Sequence, residues 1–208
     1  MTKLIIVRHC QAQGNLERFF QGRIDSDITS AGRAQIGAAA ELLAAEPIDV
    51  FYTSSLTRAR KTTDGINVYH DVPVITDDRL AEIDAGEWEG KFLTDIEKEY
   101  PKEFSDWKNN PSVFHAPGGE SMQQVYDRVS SAVKDIVRDN EGKTVCIVSH
   151  GCAIKCLMCF LHGWTVDNIA AIPIGTNTSV NVVKADGSGS FEIIMESYTD
   201  HLKLIDAG

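Results

Sequence analysis

The chain has 208 residues, 43% hydrophobic and 24% charged, with a formal net charge of −10 at neutral pH. That length buries a substantial core without disulfide or metal staples, and the composition lies far from that of a disordered chain, so one domain over residues 1–208 is expected. The acidic balance disfavours the basic face that nucleic acid or anionic lipid needs, and no run of about 18 apolar residues offers a membrane span, so neither partner is expected.

The N-terminus lacks the basic-then-apolar layout of a secretory leader. The five cysteines are an odd number, three of them crowded into one short segment, which favours reduced thiols over a disulfide framework. A cytoplasmic protein is the expectation.

In chain order, Lys3 to Val7 (KLIIV) is a short apolar run rich in β-branched residues, the pattern of a strand buried on both faces of a parallel sheet, and it breaks off at Arg8-His9-Cys10. Thr29-Ser30 offer an N-cap to a helix over Ala31 to Ala45, stopped by Pro47. Val50 to Thr53 (VFYT) is the next strand, followed at once by Ser54-Ser55 and a helix from near Leu56; Val74-Ile75 marks a third strand. Glu82, in Leu80-Ala81-Glu82-Ile83-Asp84, closes a further β-like run and adds a carboxylate. From Glu82 to Pro117 the sequence is richer in Gly, Trp and charge, and Pro101 and Pro111 interrupt it, so a lid-like excursion from the sheet is expected.

Ser121 precedes a long amphipathic helix to Asn140, with Val125, Val129, Val133, Ile136 and Val137 at helical spacing. Thr144 to Val148 (TVCIV) is a second wholly apolar strand, and it too ends in a polar tip, Ser149-His150-Gly151. A helix runs on through Leu161. Two β-patterned runs, Ser179 to Val183 and Phe191 to Met195, are joined by the turn signal Asp186-Gly187-Ser188-Gly189. The alternation predicts a three-layer α/β/α domain with a mainly parallel central sheet.

In such sheets ligands collect at the carboxyl ends of the strands. Arg8-His9 and Ser149-His150-Gly151 therefore share one crevice, and Arg58, shortly after VFYT, reaches the same rim. Two arginines can neutralise a transferring phosphoryl group through their planar forks of donors. A neutral histidine can attack phosphorus and carry the group as a phosphoramidate. Glu82 can protonate the leaving oxygen and then take a proton from water, which requires a carboxyl pKa above its reference of about 4.3. That set needs no metal and no cofactor. Taken one at a time, an Arg-His pair, a histidine after a strand or a lone glutamate is more often a surface, cap or solvated residue than a catalytic one.

The local words Leu4 to Asn15 (LIIVRHCQAQGN), Gln21 to Gly32 (QGRIDSDITSAG), Tyr52 to Thr62 (YTSSLTRARKT), Leu80 to Gly90 (LAEIDAGEWEG), Pro117 to Ser121 (PGGES) and Val148 to Gly151 (VSHG) resemble the histidine phosphatase superfamily, the group that contains cofactor-dependent phosphoglycerate mutases and many small phosphatases. The resemblance covers nearly the whole chain and implies a phosphoglycerate mutase-like fold. It implies His9 as the phosphorylated nucleophile, Glu82 as proton donor, and Arg8, Arg58 and His150 as phosphate ligands. Asn15, Gln21 and Gly22 match the substrate-contacting loop, Gly151 offers an amide to the phosphate, and Asn177 is a weaker match. The segment after Glu82 is closer to the phosphatase branch than to the mutases, so a phosphomonoesterase acting on a small phosphorylated metabolite is expected, with a phosphoglycerate mutase as the alternative. Where the family usually has glycine after the nucleophile, this chain has Cys10, whose β-carbon is expected to narrow the pocket or to disfavour a positive φ. Phe19, Phe20, Arg23, Trp88 and Trp107 are the expected lid side chains. A homodimer is left open.

Three rival readings carry less. Cys152, Cys156 and Cys159 have the C-x3-C-x2-C spacing of radical iron-sulfur enzymes, but on a helix they fall on one stripe, as buried cysteines do. His9-Cys10 evokes the cysteine-dependent phosphatases, but position 16, where their arginine follows the cysteine after five intervening residues, holds Leu16, and the next arginine is Arg18. An inactive binding module would have lost some of Arg8, His9, Arg58, Glu82 and His150, and all five are present.

Overall fold

The computed structural model describes residues 1–204. In chain order the elements are β1 (Thr2–Arg8), α1 (Gln13–Glu17), α2 (Ser30–Leu43), β2 (Val50–Thr53), α3 (Thr57–Asn67), β3 (Val74–Thr76), α4 (Leu93–Glu99), α5 (Pro101–Asn109), α6 (Met122–Asp139), β4 (Thr144–Ser149), α7 (Gly151–Leu161), β5 (Val180–Ala185) and β6 (Phe191–Tyr198), with short 3-10 turns between some of them. Local signals set these limits. Thr29 caps α2 by accepting the Gly32 amide at 2.9 Å, and α2 ends ahead of Pro47. Ser121 and Gln124 cap α6 reciprocally: Ser121 Oγ accepts the Gln124 amide at 3.2 Å, and Gln124 Oε1 accepts the Ser121 amide at 2.8 Å.

The sheet runs β3-β2-β4-β1-β5-β6. Its first four strands are parallel, while β5 pairs antiparallel with both β1 and β6. Because β4 inserts between β2 and β1, the two apolar strands with polar tips are neighbours at the centre. Alternation along each strand divides the core between the two faces. Leu4 and Ile6 of β1, Val50 and Tyr52 of β2, and Val145 and Ile147 of β4 pack with α6 and α7. Ile5, Val7, Phe51, Cys146 and Val148 face the other way, against α2 and α3. This is the expected three-layer α/β/α arrangement.

One sequence expectation fails. Leu80 to Asp84 is not a strand: Asp78–Leu80 is a 3-10 turn capped by Asp77, and the segment beyond it is irregular. Its backbone is satisfied by a side chain. The Arg128 guanidinium, from α6, donates to the carbonyls of Arg79, Ala81 and Glu82 at 2.7–3.0 Å, and Glu120 holds that guanidinium from behind. A cross-chain arginine thus replaces the strand ladder that the local pattern implied.

The excursion begins after this segment. Trp88 is fully buried, and the rings of Phe20, Tyr100, Phe104, Trp107 and Phe114 surround it at centroid distances of 5.0–6.3 Å. Gly86, at φ +52°, lies so close to the chain at its far end that a methyl group there would sit 2.2 Å from the Pro117 carbonyl oxygen. The excursion is therefore closed at its base and has an aromatic core of its own.

Candidate active site

Strand register brings the two histidines together. Arg8 lies opposite Ser149 in the β1–β4 ladder, so the next residues, His9 and His150, emerge side by side, with ring centroids 5.0 Å apart. Both are buried. His9 Nδ1 lies 2.7 Å from the carbonyl oxygen of Cys10. A carbonyl only accepts, so Nδ1 carries the proton and a neutral ring presents a bare lone pair at Nε2. Burial, then the charges of Arg58 and Arg8, hold His9 well below the usual histidine pKa, against an opposing pull from the Cys10 carbonyl. The same causes lower His150: burial first, then Arg58, His9 and Arg8. Two neutral rings beside two arginines is the result.

His150 Nε2 is 2.6 Å from Ser54 Oγ, at the end of β2. Its Nδ1 is buried and makes no hydrogen bond among the described residues, and the same holds for Nε of Arg8 and of Arg58. Buried donors without partners are rare, and these three belong to residues gathered about His9, a grouping suited to an anion.

Arg58 is 1% exposed and does a second job. Its terminal nitrogens donate to the carbonyls of Gln21, Gly22 and Ile24 at 2.8–2.9 Å. Glu89 holds the same loop from the other side, accepting the amides of Arg23 at 2.6 Å, Ile24 at 2.9 Å and Ala85 at 3.0 Å. Gly22 is required there, because a methyl group would fall 2.0 Å from Glu89 Oε1. Arg8 donates to the Gly175 carbonyl. Asn177 Nδ2 donates to the His9 carbonyl at 2.9 Å and lies 3.4 Å from Asn15 Oδ1, which in turn accepts the Ala12 amide. Asn177 thus ties the backbone of His9 to the segment that carries Asn15.

Glu82 comes from the irregular segment held by Arg128. Its carboxylate accepts the amides of Cys152 at 3.1 Å and Ala153 at 3.2 Å, at the start of α7, where aligned peptide dipoles attract negative charge, and its own neighbour Ile83 at 2.9 Å. Gly151 separates the carboxylate from Arg8: a methyl group on Gly151 would lie 3.5 Å from Glu82 Oε2 and 3.6 Å from Arg8 Cζ.

A cleft of about 260 Å³ opens onto this assembly, and Arg8, His9, Asn15, Gln21, Gly22, Arg58, Glu82 and Gly151 all line it. His150 lies beneath them. Of the expected lid residues, Phe19, Phe20 and Trp107 reach the cleft. Trp88 does not, being the buried centre of the excursion, and Arg23 turns towards Glu120 at 3.7 Å. Cys10 narrows nothing: its φ is not positive, and its buried thiol points at α2, 3.3 Å from where a methyl group on Gly32 would stand. The cysteines of α7 are buried and unlinked, Cys156 towards the Met122 carbonyl and Cys159 towards that of Thr165. Among the described residues no three His, Cys, Asp or Glu side chains converge as metal ligands do. Sequence reasoning passed over Ser54, Glu89, Glu120 and Arg128; the first three stand inside the quoted words YTSSLTRARKT, LAEIDAGEWEG and PGGES, whereas Arg128 stands in none.

Comparison with known proteins agrees with this geometry. The sequence model of the histidine phosphatase superfamily, branch 1, matches residues 4–195. Phosphoserine phosphatase 1 of Hydrogenobacter thermophilus is 34% identical over 163 residues, 78% of this chain and 77% of that protein. A 2,3-bisphosphoglycerate-dependent phosphoglycerate mutase of a Methylobacterium species is 33% identical over 192 residues, 88% of this chain and 92% of that one. The solved structure of a mycobacterial glucosyl-3-phosphoglycerate phosphatase superposes with a TM-score of 0.87 at 26% identity, covering 95% of this chain and 99% of that one. With two histidines and two arginines gathered at adjoining strand ends, and with that match over nearly its whole length, this chain belongs to branch 1 of the histidine phosphatase superfamily.

Proposed function

We propose that the protein is a phosphomonoesterase that works through a phosphohistidine on His9 and acts on a small phosphorylated metabolite. One observation carries the reading: a buried, neutral His9 with its proton committed to the Cys10 carbonyl, leaving Nε2 free between two arginines. Nε2 attacks phosphorus and the ester oxygen leaves, while Arg8, Arg58, His150 and the Gly151 amide hold the three other oxygens as charge shifts onto them. Glu82, entering the step protonated, gives the departing oxygen its proton and is left as the carboxylate that the Cys152 and Ala153 amides hold. The carboxylate then takes a proton from water, whose oxygen attacks the phosphohistidine, releasing phosphate and restoring the imidazole.

Hydrolysis is favoured over isomerisation on two grounds. The segment after Glu82 resembles the phosphatase branch, and two of the relatives above are named phosphatases. The cleft mouth is lined by exposed Arg18 and half-buried Phe19, whereas a mutase must keep water from its phosphoenzyme while the intermediate reorients. The mutase relative of comparable identity favours the second reading. To separate them, the enzyme is phosphorylated with a bisphosphorylated glycerate, and phosphate release is compared with conversion of 3-phosphoglycerate to 2-phosphoglycerate. Release far faster than conversion is expected; the reverse establishes a mutase. Five free, buried cysteines support a reducing compartment, the cytoplasm, as its location, and no helix among the described residues is long and apolar enough to cross a membrane.

A further inference from the structure

The peptide that follows His9 lies just past the last ladder pair of β1 with β4, Arg8 opposite Ser149. The His9 amide still donates to the Ser149 carbonyl at 2.9 Å. Its carbonyl has left the sheet, and among the described residues it is held only by the turn that leads into β5. Asn177 Nδ2 donates to it at 2.9 Å, and the Thr178 amide reaches it at 3.4 Å while donating to the Arg8 carbonyl at 3.0 Å. Two consecutive residues of one turn therefore fix the backbone on the far side of the imidazole.

That turn is strained at its third residue. The Ser179 amide donates to the Thr176 carbonyl at 3.1 Å, closing four residues, and Thr178 has φ +57°. Such a place calls for glycine or asparagine, and a β-branched residue there is a rare outlier. Strain of this kind persists only where the surroundings over-determine it. Here they come from beyond β6. Val180 pairs with Tyr198 in the β5–β6 ladder, so the 3-10 turn Asp200–Leu204 after β6 comes to lie behind Thr178, against α2. From that turn His201 is buried, its ring nearly parallel to that of Tyr198, with planes 16° apart. Thr178 is itself wholly buried. Its hydroxyl donates to the Asn177 carbonyl at 2.8 Å, and with its proton spent there it accepts from His201 Nε2, 3.4 Å away. The proton of a neutral His201 is therefore on Nε2. Its buried Nδ1, unpartnered among the described residues, is the bare acceptor.

We infer that Thr178 and His201 are positioning residues for the nucleophile. His201 wedges the Thr178 side chain in place, the turn keeps its left-handed bend, and the bend aims the Thr178 amide and the Asn177 side chain at the carbonyls of Arg8 and His9. Neither residue lines the cleft or touches the ester. The inference rests on the reading of His9 as nucleophile given above. A small swing of the His9 peptide carries the Nε2 lone pair off the line to phosphorus, and covalent transfer depends steeply on that alignment. Glycine at position 178 would satisfy the backbone better, so the threonine is explained by what its hydroxyl holds.

The test compares kcat and KM on p-nitrophenyl phosphate for His201→Leu, His201→Gln and Thr178→Gly. His201→Leu should lower kcat by roughly 10- to 100-fold, the scale of a misplaced nucleophile, and change KM by less than about threefold. Arg58, anchored on the Gln21 to Ile24 loop, stays in place to hold the phosphoryl group. His201→Gln, whose amide nitrogen can stand where Nε2 does, should recover most of the loss. Thr178→Gly relieves the strain but removes the hydroxyl, so it should fold and still lose kcat, which separates aiming from folding. Native kcat in His201→Leu and Thr178→Gly would overturn the inference, as would a raised KM with kcat unchanged, or no recovery in His201→Gln. Nitrogen NMR of the histidine rings, without substrate, reads the same point apart from turnover. His9 should be a single neutral tautomer protonated at Nδ1 in the native protein and should average between two tautomers in His201→Leu. An unchanged His9 signal in that variant sinks the wedge even in an active phosphatase, and a changed one upholds it even if no ester is hydrolysed.

Discussion

The floor and the wall of the cleft are built by different means. The floor is the meeting of three strand ends, where His9, Ser54 and His150 are fixed by ladder register and are almost wholly buried. The wall consists of the Asn15 to Ile24 loop and the excursion, joined by a few backbone hydrogen bonds and by aromatic packing around Trp88. Burial on the floor does chemical work, since it strips water from the rings and arginines and makes each charge count for more. Partial exposure on the wall leaves its side chains free to differ without disturbing that chemistry. On the proposed reading, the floor handles phosphorus and the wall selects the ester.

The sharpest way to break this division is at His9. His9→Ala should lower turnover by roughly 10⁴-fold or more on every ester, because no other group supplies the covalent route. The acid-labile, alkali-stable phosphoryl adduct should vanish with it. Retention of an adduct on Cys10 would overturn the assignment; the structure argues against that outcome, since burial pushes the Cys10 thiol up and turns it from the cleft.

Glu82 lies where floor meets wall and should show the next largest effect. Glu82→Gln should slow alkyl phosphates by about 100- to 1,000-fold and aryl phosphates by less than about tenfold, because a phenolate leaves without a proton and an alkoxide does not. Equal losses on both classes would make Glu82 an orienting group instead.

The same division explains what could be read from the sequence. β1 and β4 are legible because KLIIV and TVCIV are continuous apolar runs with no helical alternative at that length. Their polar tips point to the site because ligands gather at strand carboxyl ends. α1 is only five residues long, too short for any periodicity to show, and Leu80 to Asp84 reads as β only because its true partner, Arg128, is more than 40 residues away on α6. On the wall, composition cannot tell Trp88 from Trp107. One is the buried centre of the aromatic cluster and the other lines the cleft, a difference made by tertiary packing alone.

Ser54 tests whether the floor depends on positioning as well as on reactive groups. Its hydroxyl lies 2.6 Å from His150 Nε2 and also receives the Leu56 amide at 3.4 Å, so donating its proton to Nε2 places the imidazole proton on Nδ1, the unpartnered atom. Ser54→Ala should reduce kcat about tenfold. It should also move the acid limb of the kcat/KM profile to higher pH, because the neutral ring loses the donor that favours it. A fall in thermal stability with an unchanged pH profile would reduce Ser54 to a packing role.

The smallest effect concerns stability. His9 and His150 have pKa values lowered well below that of an unfolded histidine, chiefly by burial. Above about pH 6.5 both rings are neutral whether the chain is folded or not, and they contribute no pH dependence. As pH falls below that value the unfolded chain takes up protons that the folded floor refuses, so stability drops by up to about 1.4 kcal/mol per histidine per pH unit until the folded pKa is reached. His70 and His201, lowered by burial as well, add to the same trend, whereas the lowered carboxyls of Asp77 and Glu120 enter only at more acid pH. At roughly 2–4 °C per kcal/mol for a chain of this size, Tm should fall by several degrees between pH 7.0 and 5.5. His9→Ala should flatten that slope, since it removes one refusing ring and relieves its neighbour of little. A slope as steep in His9→Ala as in the native protein would mean that His9 is already protonated in the folded state, and with that the neutral nucleophile would be lost.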